Sequence, residues 1–173
     1  MNAILNQEAA DSTQTTAYTD YHVDDNKAQD ILNRARQYAV DNALQYTGSI
    51  SPVDAWALFQ AGYASIVDVR TNEERKFVGY VENTVHVPWA TGTAFNRNPR
   101  FAKELEAKVK KDQLVLLLCR SGNRSAYAAE AAHKAGFQQI YNILEGFEGD
   151  LNDARQRGHF NGWRHHHLPW VQD

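Results

Sequence analysis

Short apolar segments with the composition of buried strands alternate with segments of helical spacing through most of the chain. The most apolar of them is "QLVLLL" at 113–118, and "ASIVDVR" at 64–70 and "QQIYNI" at 138–143 are of the same kind. Strands that are apolar on both faces are typical of parallel sheets, which helices cover on either side. The alternation predicts an α/β fold of three layers, with helices on both faces of a mainly parallel central sheet of about five strands.

Local signals predict the remaining elements. Ser51 is a good cap for a helix that begins at Pro52 and ends at Gly62. Thr71 and Glu74 have the spacing of a capping box at the start of another helix. The other expected elements are strands at 49–51 and 84–88, helices at 100–109 and 124–134, and a loop over 89–99. The tail is expected to form a loop and a short helix over the body, with Trp163 and Trp170 as packing anchors.

Three regions are expected along the chain. Residues 1–25 are rich in Thr, Asp, Gln and Ser and predict a flexible polar arm. Residues 26–48 form an N-terminal helical extension, in which a helix over 27–44 carries an apolar stripe, and 49–173 form the main domain. The stripe has to be covered, so we expect it to dock on the main domain or to build a homodimer.

The overall composition excludes some classes of partner. The chain has 173 residues, a formal net charge of −3 and a pI near 6.1, which do not favour binding to nucleic acid or to an anionic membrane. A single cysteine cannot form an internal disulfide, and such usage is typical of a reducing compartment. No export signal or apolar run long enough to span a membrane is apparent, so we expect a cytoplasmic protein whose partners are small molecules or proteins.

The single cysteine lies where chemistry is expected. Cys119 follows the apolar strand directly and is itself followed by "RSGNRS" at 120–125. Ligands of parallel sheets bind at the carboxyl ends of the strands, and a turn at Gly122 can aim backbone N–H groups inward as an anion-binding nest. A helix N-terminus and the side chains of Arg120 and Arg124 would favour a thiolate. The alternative for a lone cysteine is that of a small buried apolar residue.

The spacing of the loop separates two chemistries. Tyrosine-phosphatase-like enzymes have five residues between the cysteine and an arginine, a loop that encircles a phosphoryl group. Here Arg124 follows Cys119 after four residues, and Ser125 stands where that arginine would be. The shorter loop favours a sulfur atom carried on the thiol. A cysteine-dependent phosphatase or an arsenate-reductase relative is the alternative.

Several stretches in order resemble the rhodanese family in its single-domain form. They are "ISPVDAWALFQAG", "SIVDVRTNEERKFVGYVENTVHVPW", "VLLLCRSGNRSAYAAEAAHKAGFQQIYNILEGFEG" and "GWRHHHLPW". The resemblance implies a rhodanese-like domain and a sulfurtransferase that needs no metal and no organic cofactor. It also leaves open a binding module that uses the same scaffold without catalysis. Tyr80 and the pair Glu82-Asn83 depart from the family pattern near the cleft rim.

The resemblance also implies roles for residues. Cys119 takes sulfur from a small anionic donor such as thiosulfate and passes it from a persulfide to cyanide, a thiol or a protein acceptor. The persulfide is held by the loop amides, and Arg120 binds the donor, whereas Arg124 either binds the donor or pairs with a carboxylate of the body. The residues expected to hold the substrate or the persulfide are Arg120, Ser121, Gly122, Asn123, Arg124 and Ser125.

A few further polar residues are expected to have supporting roles. Asp68 should hydrogen-bond and position backbone, because a bare carboxylate beside the thiolate would oppose its ionisation. Arg70 is expected to pair with Glu73 or Glu74. His86 is predicted to be half-buried and hydrogen-bonded, and the run His165 to His167 to face solvent and not to bind metal.

Overall fold

Five parallel strands form the centre of the fold in a computed structural model that describes residues 22–173. The order in the sheet is β1-β7-β6-β2-β3, and a separate antiparallel hairpin consists of β4 and β5. The predicted α/β architecture with a central parallel sheet and an N-terminal helix is confirmed. The elements in chain order are α1 (Asp25–Asp41), β1 (Gly48–Ile50), α2 (Pro52–Gln60), β2 (Ser65–Asp68), α3 (Asn72–Val78), β3 (Val85–His86), β4 (Ala90–Thr91), β5 (Asn96–Arg97), α4 (Phe101–Glu106), β6 (Leu114–Leu118), α5 (Asn123–Lys134) and β7 (Gln139–Ile143).

The two predicted helix starts are present with their hydrogen bonds. Asp54 N donates to Ser51 Oγ over 3.1 Å at the start of α2, which begins at Pro52. At the start of α3, Glu74 N donates to Thr71 Oγ1 over 3.2 Å and Thr71 N donates to the Glu74 carboxylate over 3.0 Å. These bonds satisfy N–H groups that have no partner within the helix, which is why both positions were visible in the sequence.

The sheet separates two apolar cores. Leu116 and Leu118 of β6 contribute to a core shared with α1, α2 and Trp163, whereas Val115 and Leu117 contribute to one shared with α4 and α5. All of these strand residues are fully buried, as expected of a strand that has helices on both faces. Trp163 is also fully buried and meets Trp56 edge-on at 5.9 Å between ring centroids, so it is the packing anchor that was predicted.

Helix α1 begins and ends two to three residues before its predicted bounds, and its apolar stripe packs on the body. Ile31, Leu32 and Ala35 belong to the same core as Ile50 of β1 and Leu58 of α2. The stripe is therefore covered within the chain, which was one of the two expected outcomes. The homodimer stays a prediction.

The close approach of α1 to β1 depends on Gly48. A Cβ atom at this position would lie 2.6 Å from Ala35 O and 2.8 Å from a ring carbon of Tyr141. Only glycine lets the helix and the strand reach this distance.

Three expectations differ from the structure or lie outside it. The segment 89–99 holds the β4–β5 hairpin in place of a plain loop, and the tail forms successive turns and a single bridge between Tyr80 and Val171, so the predicted short helix is wrong. Most of the predicted flexible arm, 1–25, lies outside the described residues, and Asp24 caps α1 by accepting a bond from Lys27 N over 2.8 Å. Among residues 22–173, no helix combines the length and apolar character needed to cross a membrane.

Candidate active site

Cys119 lies at the carboxyl end of the central strand β6, in the turn that leads into α5. Gly122 caps α5 in a left-handed conformation, with φ of 87°. The backbone angle favours glycine, and a Cβ atom there would come within 3.2 Å of Glu145 N, so the packing also leaves little room for a side chain. Cys119 is only 1% exposed. The loop therefore places a shielded sulfur atom at the N-terminus of a 12-residue helix.

Two hydrogen-bond donors of the loop reach the sulfur atom. Gly122 N donates to Cys119 Sγ over 3.2 Å, and Ser125 Oγ lies 3.1 Å from the same atom. These donors and the positive end of α5 stabilise negative charge on sulfur. Ser121 is half-buried and Asn123 is exposed, and contacts from their amides to a persulfide stay a prediction.

Arg124 pairs with a carboxylate of the body. Its Nη1 and Nη2 donate to the two oxygens of Glu74 over 2.8 and 2.6 Å. Burial disfavours the charged forms of both groups, but their mutual hydrogen bonds outweigh it, so the pKa of Arg124 is raised and the pKa of Glu74 is lowered. Of the two roles left open for Arg124, the structure has the ion pair.

Arg120 has a different environment. Its side chain is half-buried, and its Nε is buried without a hydrogen-bond partner in the part of the chain that the structure describes. The ring of Phe95 lies 6.0 Å from the Arg120 guanidinium and 4.9 Å from that of Arg124. Phe95 is in the turn of the β4–β5 hairpin, with a positive φ of 53°. The guanidinium of Arg120 is thus the less constrained positive charge of the loop.

Asp68 and Arg70 form a buried cluster beside the loop. Both side chains have no exposure, and Asp68 accepts bonds from Arg70 N, Nε and Nη2 over 3.0, 3.0 and 2.7 Å. Arg75 Nη1 donates to the same carboxylate over 2.8 Å. Burial alone would raise the pKa of Asp68, but the two arginines lower it below its usual value. Asp68 bonds backbone at Arg70 N, whereas its three other bonds go to arginine side chains.

The predicted partner of Arg70 was wrong. Arg70 pairs with Asp68 and donates to Gly79 O over 2.9 Å, whereas Glu74 pairs with Arg124. A fully buried guanidinium needs a carboxylate that is buried with it, and Asp68 is the one at the end of its own strand.

The burial of His86 and the exposure of the three histidines at 165–167 agree with the prediction. His86 is half-buried, its Nε2 lies 2.8 Å from Arg70 O, and burial lowers its pKa. The three histidines at 165–167 are exposed, and His166 Nε2 lies 2.7 Å from a carboxylate oxygen of Glu145. Within residues 22–173, no three metal-binding side chains come together.

The comparison with known protein families shows the family to which the chain belongs. A model of the rhodanese-like domain matches residues 51–153, which is more than half of the chain. The chain belongs to the rhodanese-like family. The match includes the loop at 119–125, which we call the sulfur loop, and the buried cluster of Asp68, Arg70 and Arg75.

Relatives of this rhodanese-like domain include proteins of known structure. The crystal structure of Rv0390 from M. tuberculosis has 42% sequence identity, covers 74% of this chain and 99% of that chain, and superimposes with a TM-score of 0.67. An uncharacterized protein of Rickettsia prowazekii is 37% identical over 111 residues, 62% of this chain and 82% of that protein. The rhodanese-like domain-containing protein 15, chloroplastic, of Arabidopsis thaliana is 32% identical over 92 residues, 52% of this chain and 50% of that protein.

Sequence reasoning missed three residues around the sulfur loop of this rhodanese-like domain. Glu74 was identified as a capping residue, but its bond to Arg124 joins positions 50 apart in the chain. Phe95 gave no sequence signal. Asn142 Oδ1 lies 2.6 Å from Ser125 Oγ, and it did have a signal, since it is a polar residue between Tyr141 and Ile143 in the buried part of β7.

Proposed function

We propose that the protein is a sulfurtransferase that carries sulfane sulfur as a persulfide on Cys119. The observation that carries the proposal is the shielded sulfur atom at the start of α5, with Gly122 N and Ser125 Oγ at 3.2 and 3.1 Å. Membership of the rhodanese-like family supports chemistry of this type. The donor that we propose is a small anion such as thiosulfate, and the acceptor is cyanide, a thiol or a protein thiol.

The reaction has two displacements at sulfur. The Cys119 thiolate attacks the outer sulfur of thiosulfate, a new S–S bond forms, and sulfite leaves with the electron pair of the old one. The acceptor then attacks the terminal sulfur of the persulfide. Thiocyanate leaves when cyanide is the acceptor, and the electron pair of the S–S bond returns to Cys119 as the thiolate. The transfer of sulfur from donor to acceptor needs no external oxidant or reductant, so the proposal includes no cofactor and no metal.

The two arginines of the loop have different roles in this proposal. The bidentate bond to Glu74 occupies Arg124, whereas Arg120 Nε has no hydrogen-bond partner within the described residues, 22–173. We therefore assign binding of the anionic donor to Arg120. We also propose a cytoplasmic setting, because a reducing compartment keeps a single thiol free to react.

The proposal is tested by loading the cysteine. Incubation of the full chain with thiosulfate should add one sulfur atom, visible in the intact mass and located at Cys119 by peptide mapping. Adding cyanide should remove that atom and release thiocyanate. Cys119→Ser keeps the size of the side chain and should show neither result. A wild type that gains no sulfur from thiosulfate or other sulfane donors and makes no thiocyanate would contradict the proposal.

Phosphate-ester hydrolysis or arsenate reduction is the second candidate. An anion-favouring loop around a cysteine supports it, but the last arginine of the loop is bound to Glu74. Turnover of an aryl phosphate, or of arsenate with a thiol reductant, that is lost in Cys119→Ser would support this candidate. A protein that performs none of these reactions would support the non-catalytic binding module.

A further inference from the structure

A row of buried polar side chains lies behind the sulfur loop, on β1, β7 and the segments beside them. Ser49 of β1 and Asn142 of β7 are partners in the strand register, and each is 3% exposed. Tyr46 is 7% exposed and its hydroxyl lies 3.2 Å from Ser49 Oγ. Ser125, fully buried, lies at the other end of the row, next to the sulfur of Cys119. Buried polar groups in a parallel sheet are costly, so this row needs a physical reason.

The Ser125 hydroxyl is the junction between this row and the sulfur atom. Its oxygen lies 2.6 Å from Asn142 Oδ1, 3.1 Å from Cys119 Sγ and 3.2 Å from Gly122 O. A hydroxyl has one proton to donate and three neighbours that accept it. A serine in the first turn of a helix often bonds the carbonyl three residues before it, which here is Gly122 O. Ser125 therefore donates to sulfur only if something else orients it.

The amide of Asn142 has the groups that this orientation requires. An amide presents an acceptor at one end and a donor at the other, and a half-turn exchanges them without a change of shape. With Nδ2 toward Ser125, the serine oxygen receives a bond from Asn142 and its proton is polarised toward Sγ. With Oδ1 toward Ser125, which is the arrangement in the structure, the serine donates to Asn142 and not to sulfur. The structure thus has the arrangement that suits a protonated sulfur, and a half-turn of the amide gives the one that suits a thiolate.

The hydroxyl of Tyr46 belongs to the same network. It lies 3.2 Å from Ser49 Oγ, and Asn142 is among the groups that act on it. Burial raises the pKa of Tyr46, so the phenol keeps its proton. A phenol both donates and accepts, so it can pair with either end of an amide.

We propose that Asn142 is a positioning residue for sulfur transfer: with its amide turned so that Nδ2 faces Ser125, it holds the Ser125 hydroxyl as a hydrogen-bond donor to the Cys119 thiolate. This inference rests on the proposed sulfurtransferase function and assigns a role in it to a residue of β7. Asn142 does not touch the sulfur. It acts through Ser125, and the property that it changes is the stability of the thiolate.

The charged groups around the loop have to be held constant in any test of the thiolate. Five of the eight are held in ion pairs with one another. The eight groups are Arg120 and Arg124 on the loop, Asp68 and Arg70 at the end of β2, Glu74 and Arg75 on α3, and Glu145 and Asp150 in the cleft that Ser121, Gly122 and Asn142 also line.

The test is the pH dependence of alkylation of Cys119 by iodoacetamide, which reports the thiolate fraction without any sulfur transfer. Asn142→Leu should move the midpoint upward by about one pH unit, since a hydrogen bond to a charged group is lost. Ser125→Ala should move it by a similar amount. The double variant should move it no further than Ser125→Ala, because both changes remove one and the same donor. Asn142→Asp offers only acceptors and adds charge, so its midpoint should rise further.

A matched variant controls for the loss of any buried amide. Asn98 is 8% exposed and bonds Pro88 O and the Glu104 carboxylate through its Nδ2. Asn98→Leu should lower the melting temperature and leave the alkylation midpoint unchanged. An unchanged midpoint in folded Asn142→Leu, or full additivity in the double variant, would overturn the inference. Because alkylation needs no sulfur donor, that outcome is distinct from a failure of the proposed function.

Discussion

At the scale of single residues, the two arginines of the loop have different neighbours and therefore different expected effects. Arg124→Gln leaves Glu74 without its cation, in a pair that is 12–19% exposed, and should lower the free energy of unfolding by about 2 kcal/mol. Arg120→Gln breaks no ion pair among residues 22–173 and should chiefly raise the KM for thiosulfate. Thermal unfolding and steady-state kinetics of both variants measure the two effects. A larger rise in KM for Arg124→Gln, without loss of stability, would contradict the assignment.

At the scale of elements, the contact between α1 and β1 gives a steric prediction. Gly48→Ala adds a Cβ atom where backbone lies 2.6 Å away, and neither α1 nor β1 can move freely because both enter the same core. The variant should lose about 1–3 kcal/mol of stability. Chemical denaturation measures this loss. Val40→Ala on α1, where the side chain is 74% exposed, is the control and should change stability by less than about 0.5 kcal/mol. Equal stabilities for the two variants would show that α1 is free to shift.

Elements with local signals were predicted from the sequence, and those decided by distant contacts were not. Ser51, Thr71 and Glu74 bond the backbone three residues away, so the starts of α2 and α3 could be read directly. The tail has no helix because Trp163 is fixed in a distant core and Gly162 takes a φ of 105°. The position of Phe95 over the loop arginines follows from tertiary packing, to which a single sequence gives no guide.

At the scale of the whole molecule, paired carboxylates and a half-buried histidine set the response to acid. The folded-state pKa values of Asp68 and Glu74 are lowered, so their stabilising contribution is full above about pH 4.5 and is lost as the pH falls through the folded values. The pKa of His86 is also lowered, so the unfolded chain binds its proton first and stability begins to fall below about pH 6.5.

Denaturant unfolding at a series of pH values separates these contributions. Asp68→Asn should be less stable by about 3–5 kcal/mol at neutral pH, because it leaves the buried Arg70 uncompensated, and should lose less than the wild type does below pH 4. His86→Gln should flatten the curve between pH 5 and 7. Parallel curves for the wild type and Asp68→Asn would contradict the role of this carboxylate in acid unfolding.

The order of strands in the sheet also determines when each part of the fold can form during synthesis on the ribosome. In the sheet, β1 has a single neighbour, β7, although 88 residues separate the end of one from the start of the other. Among the elements of the fold, α1 and β1 are synthesised before the others. The apolar stripe of α1 therefore has no complete sheet to pack on until almost all of the domain has been made. Chaperones that bind exposed apolar segments would meet the nascent chain during this interval. Asn142 of β7, which bonds Ser125 of the sulfur loop, is also added late, so the hydrogen bonds around this loop are completed at the same stage.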